Sequence, residues 1–197
     1  TAGLFPYIGG NATIKNVAVK NSHLVGTQGA GGFVGSSYGT DAKSITLENC
    51  VSANNYIECG RGDSGAGALV GFLYNTTNGT TPTTLNNCLV YGNELVSTKG
   101  QLCSAIGGSF NAGKNSFNNS VFLGCAPTLP TASYHTNHNS KYSNCYTDQT
   151  PTPWDGAPFN DNQLKQITST TGSAAKAAMP NLDWANTWFE NKDGIPE

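Results

Sequence analysis

The chain has 197 residues, of which only 11% are charged, with 10 Lys+Arg against 12 Asp+Glu, and 24 of its residues are glycine. A formal charge of −2 with a single arginine, Arg61, excludes the basic stripe that nucleic-acid binding needs, and no apolar run approaches the ~20 residues required to cross a bilayer. Aromatics at 10%, set in patterned segments, argue against disorder and leave a Gly-, Asn- and Thr-rich β protein of one domain or two small ones.

Two short elements recur along the chain, which opens on Thr1, so any signal or anchor segment is expected to lie outside this sequence. Gly3-Leu4-Phe5 begins an incomplete copy of one element, and Ile14-Lys15-Asn16-Val17 is the first copy of the other. Gly32-Phe33-Val34-Gly35 and Leu47-Glu48-Asn49-Cys50 follow, then Ala68-Leu69-Val70-Gly71 and Leu85-Asn86-Asn87-Cys88. Ala105-Ile106-Gly107-Gly108 precedes the weaker copies Phe117-Asn118-Asn119-Ser120 and Tyr142-Ser143-Asn144-Cys145. The asparagines Asn16, Asn49, Asn87, Asn119 and Asn144 are spaced 33, 38, 32 and 25 residues apart. Ser120 in place of Cys and the short last copy mark a repeat that is ending.

Apolar residues at Leu85, Cys88 and Val90 are three apart across the asparagine and two apart beyond it. A straight strand cannot turn both i and i+3 inward, so the chain must bend at the asparagine. Asn tolerates the left-handed backbone of such a corner at low steric cost. Stacked copies then predict a ladder of asparagine amides, and the glycines fit tight corners or close backbone approach. Short strands, corners and this period predict a parallel β-helix of about five coils at ~4.8 Å spacing, rather than a β-sandwich. Polar inserts such as Asn75 to Thr84 become loops.

Beyond Tyr146 the repeat gives way to Pro- and Thr-rich chain. Asp161 to Ile167 and Ser173 to Met179 each predict a short helix, the second stopped by Pro180. Trp184, Trp188 and Phe189 predict a cap over the last coil's open edge, with a sugar-stacking platform as the functional alternative. The expected division is a repeat region over residues 1–145 and a capping segment over 146–197.

Cys50, Cys88 and Cys145 each follow a corner asparagine and read as stacked, buried thiols, although bridges between neighbouring coils remain open. Cys59, Cys103 and Cys125 fall outside that register, and the absence of a CxxC pair argues against structural zinc. Arg61-Gly62-Asp63 in a Gly-rich insert is a candidate receptor-contact loop. His135-Thr136-Asn137-His138 lacks the glutamate of a metallopeptidase helix and reads as a surface loop. The acids of the repeat region, Asp41, Glu48, Glu58, Asp63 and Glu94, form no stacked pair of the kind glycan-cleaving β-helices need. No catalytic, cofactor-binding or metal residue is assigned, and no cofactor is expected.

Gly-Gly-Phe-Val-Gly (Gly31 to Gly35) paired with Leu-x-Asn-Cys (Leu47 to Cys50) resembles the GLUG-motif repeat of bacterial surface and secreted proteins, among them adhesins and some IgA-specific metallopeptidases. The likeness runs over residues 3 to 125 and, more loosely, 126 to 197. It implies a right-handed parallel β-helix at a bacterial surface, with no catalytic residues in the repeat. The expected function is a non-enzymatic adhesin or ligand-presenting scaffold, extracellular or on the bacterial cell surface. Its partner would be a host glycan or host surface protein, with no nucleic acid and no membrane insertion in this segment. A carbohydrate-active β-helix enzyme, lyase or hydrolase, is the alternative.

Overall fold

The computed structural model describes residues 1–37, 42–60, 65–73, 83–98, 103–104, 107–110, 116–127, 135–136, 141–148, 152–153, 164–167, 175–190 and 196. The protein is all-β with almost no helix, and its sheets are parallel. Asparagine makes the bends. Asn16, Asn49, Asn87, Asn119 and Asn144 have φ of 57°, 53°, 54°, 49° and 52°, the left-handed region that most side chains avoid. Before these corners, Gly10–Lys15, Ala42–Glu48, Thr83–Asn86, Ser116–Asn118 and Lys141–Ser143 form a five-stranded sheet in that order. After them, Ala18–Lys20, Val51–Ala53, Leu89–Tyr91, Val121–Leu123, Cys145–Thr147 and Leu164–Gln166 form a six-stranded sheet.

A second set of left-handed residues, Asn21, Asn54, Gly92 and Gly124, turns the chain again. It leads into a four-stranded sheet of His23–Gly26, Tyr56–Cys59, Glu94–Ser97 and Ala126–Pro127. Ala30–Gly31, Ala66–Gly67 and Cys103–Ser104 pair next, followed by Phe5–Tyr7, Val34–Ser37, Val70–Leu73 and Gly107–Phe110. Successive stretches of chain thus add strands to the same sheets in sequence order, an arrangement consistent with a β-helix-like fold. No helix among the described residues is long and apolar enough to cross a membrane.

Register explains the core. Ile14, Leu47, Leu85, Phe117 and Tyr142 are aligned partners on neighbouring strands, and all are buried. Each such side chain withdrawn from water contributes about 1.5–3 kcal/mol. The glycines of the second element serve close backbone approach rather than left-handed turns. A Cβ built on Gly71 would meet the Gly35 carbonyl oxygen at 2.5 Å, and one on Gly35 would meet the Pro6 carbonyl oxygen at 2.7 Å.

The C-terminal segment corrects one expectation. The helix expected from Asp161 to Ile167 is instead a strand, Leu164–Gln166, paired with Cys145–Thr147. Sheet pairing satisfies its backbone while Leu164 is buried in the main core, so tertiary context outweighs a weak helical preference. The second helix is present as Ala175–Ala178. The residues after it lie against a sheet face. Met179, Leu182 and Trp188 pack with Leu89, Val121, Leu123 and Tyr146 of the six-stranded sheet, because that sheet is apolar on its outer face as well as its inner one.

Candidate functional site

The corner asparagines form a ladder. Asn49 Nδ2 donates to Asn16 Oδ1 at 3.0 Å, Asn87 Nδ2 to Asn49 Oδ1 at 3.0 Å, and Asn119 Nδ2 to Asn87 Oδ1 at 2.5 Å. At its far end Asn119 Oδ1 accepts the Asp183 backbone N–H at 3.1 Å, so the C-terminal segment docks on the ladder itself. Asn144 shares the corner conformation. One residue earlier on the strands, Asn118 Nδ2 reaches Asn86 Oδ1 at 2.9 Å, and Lys15 Nζ reaches Glu48 Oε2 at 2.6 Å.

Cys50, Cys88 and Cys145 sit just inside the corners as free, buried thiols. Cys50 Sγ lies 3.5 Å from the Ile14 carbonyl, Cys88 Sγ 3.5 Å from that of Leu47, and Cys145 Sγ 3.2 Å from that of Phe117. Ser120 fills the equivalent place and accepts the Cys88 N–H on its hydroxyl at 3.0 Å. A hydrogen bond with the Cys50 sulfur, then burial, pushes the Cys88 thiol well up. Burial pushes Cys145 up to about 12. The same hydrogen bond between the two thiols, with Cys88 as the partner, draws the Cys50 thiol down, and all three sulfurs are withdrawn from solvent as packing groups.

The residues that sequence reasoning missed form a second, buried ladder behind the other corners. Asn55 Nδ2 donates to Val19 O and to Asn93 Oδ1, each at 2.9 Å, and Asn93 Nδ2 donates to Ser52 O at 2.9 Å. The Asn55 backbone N–H reaches Asn93 Oδ1 at 3.0 Å, and the Ser22 N–H reaches Asn55 Oδ1 at 2.9 Å. Cys125, also free, stands next in this column; burial raises its thiol to about 12 against the lowering effect of hydrogen bonds with Asn93. The signal was present. Ser22, Asn55, Asn93 and Cys125 repeat at the same 33, 38 and 32 offsets as the outer asparagines. The change of residue type at each step hides it.

Arg61, Gly62 and Asp63 lie outside the described residues, as does His138. His135 and Thr136 form a short strand paired with Thr152–Pro153.

Outer ladder and C-terminal segment together enclose a pocket of about 340 Å³, lined by Asn49, Val51, Asn87, Leu89, Asn186, Thr187 and Trp188. No lining side chain among the described residues titrates. The Asp183 carboxylate behind it is occupied by Asn186 Nδ2 at 3.1 Å and the Thr187 hydroxyl at 3.3 Å. Trp188 is 3% exposed, and its Nε1 is buried with no hydrogen-bond partner among the described residues. Among the described residues the site offers amides, a hydroxyl and apolar wall, and no acid or base.

No protein-family model matches the chain, and no curated protein matches it. Among solved structures, the chain is similar to the crystal structure of a candidate immunoglobulin A1 protease from Bacteroides ovatus, with a TM-score of 0.61 and 20% identity over 99% of this chain. The chain spans 62% of that structure's length, and at 20% identity the likeness is one of fold.

Proposed function

We infer that the chain is a right-handed parallel β-helix of about five coils, of the GLUG-motif kind, with its C-terminal segment laid along one flank. It serves as a non-enzymatic, ligand-presenting segment of an adhesin-type protein on a bacterial surface or secreted from it. The stacked register, with the same sheets extended by each repeat, supports the solenoid. The bacterial origin of the fold neighbour supports the setting, and that neighbour's name points toward proteolysis. The observation that weighs for binding over turnover is the pocket, whose lining amides, hydroxyl and apolar groups include none able to take up or release a proton. The partner would be a host glycan or a host surface protein. A host-cell attachment assay, run beside degradation assays on polysaccharides and immunoglobulin A1, tests this reading. Attachment without turnover is the expected result; release of new reducing ends or peptide fragments overturns it.

A further inference from the structure

We propose that the pocket between the asparagine ladder and Trp188 binds one or two units of a neutral glycan. This deepens, and rests on, the scaffold reading above. The volume of about 340 Å³ lies within the roughly 300–1,000 Å³ usual for small-ligand sites. Asn49 and Asn87 each use one N–H and one carbonyl lone pair within the ladder. A carboxamide has two of each, so each retains one donor and one acceptor. A hydroxyl, which both donates and accepts, is the group that pairs with such a half-used amide.

Val51, Leu89 and Trp188 supply apolar wall for the C–H face of a pyranose, while Asn186 Oδ1 and the Thr187 hydroxyl oxygen remain able to accept. The Trp188 indole, 3% exposed, is held rigidly in that wall. The alternatives fit less well. An anionic sugar finds no cation in the lining, and an acyl chain strips water from four polar side chains without replacing it. An extended peptide pairs with a sheet edge, whereas Val51 and Leu89 stand on interior strands of the six-stranded sheet.

The test uses the full chain and a panel of di- and trisaccharides of glucose, galactose, mannose and N-acetylglucosamine, with sialyllactose and oligogalacturonate as charged arms. Titration calorimetry is expected to show binding to at least one neutral member and none to the charged arms. Asn186→Trp, at an exposed position on the pocket rim, is expected to weaken that binding at least ten-fold while the protein stays folded. Asn87→Asp, which puts a charge beside the ligand, is expected to weaken it further. Circular dichroism confirms that each variant is folded. Failure of every neutral sugar to bind overturns the proposal, as do preferential binding of a charged arm and unchanged binding by a folded Asn186→Trp protein. Host-cell attachment that persists in Asn186→Trp while no sugar binds overturns the pocket assignment and leaves the scaffold reading standing.

Discussion

At the residue scale, asparagine does two jobs here, and they can be separated. Asn87 holds a φ of 54° and also links Asn49 to Asn119 through its amide. Asn87→Gly keeps the backbone conformation and loses two ladder bonds of about 0.5–1.5 kcal/mol each. Asn87→Ala loses the same bonds and adds about 1–2 kcal/mol for a left-handed alanine. Urea denaturation should therefore rank Ala below Gly; equal stabilities would mean that the corner conformation carries no cost. The thiols give a pH prediction. An unfolded cysteine ionises near its ordinary 9.0, whereas burial holds Cys125 and Cys145 at about 12. A raised acid binds its proton more tightly when folded, so this contribution is whole below pH 9 and is lost as pH climbs toward 12. Cys145→Ser, which repeats the serine standing at the equivalent corner as Ser120, should make the loss of stability between about pH 9 and 11 shallower in denaturant titrations. A slope identical to wild type would remove the thiol from that account.

At the element scale, the glycine-rich repeats are spacing devices. The added Cβ of Gly71→Ala would run into the Gly35 carbonyl at 2.5 Å and into the Ala30 backbone. Both are main-chain atoms fixed by sheet pairing, so the substitution should cost about 1–3 kcal/mol as overpacking. Gly9 is the control, since nothing lies within 4 Å of its built Cβ. Thermal unfolding should show a lowered midpoint for Gly71→Ala and little change for Gly9→Ala. The same scale explains why Leu164–Gln166 is a strand. A short segment with Leu164 and Ile167 at its ends is ambiguous by pattern alone, and the unpaired edge at Cys145–Thr147 decides it.

At the scale of the whole molecule, the six-stranded sheet is covered on both faces. Val90 and Phe122 belong to the main core, while Leu89, Val121, Leu123 and Tyr146 pack under the C-terminal segment. Removing residues 168–197 should retain β circular dichroism while raising ANS fluorescence and lowering the melting temperature, as about 1.5–3 kcal/mol is lost for each apolar contact residue such as Met179 or Leu182. Unchanged ANS binding would show that the segment is not needed to shield that face. The apolar runs Leu89-Val90-Tyr91 and Val121-Phe122-Leu123 carried the sign of double coverage, since a strand wet on one face alternates. The repeat, the asparagine corners and the alignment of Leu47, Leu85 and Phe117 were legible in the amino acids alone, because they follow from local backbone preference and from spacing along the chain. Folding in three dimensions sets where residues 175–190 dock, brings Asn55 to Asn93 behind the second corners, and places Trp188 in a pocket wall with Asn49 and Asn87. Those contacts join residues far apart in the chain, and which surfaces meet there depends on the packing of many side chains at once, which no local pattern encodes.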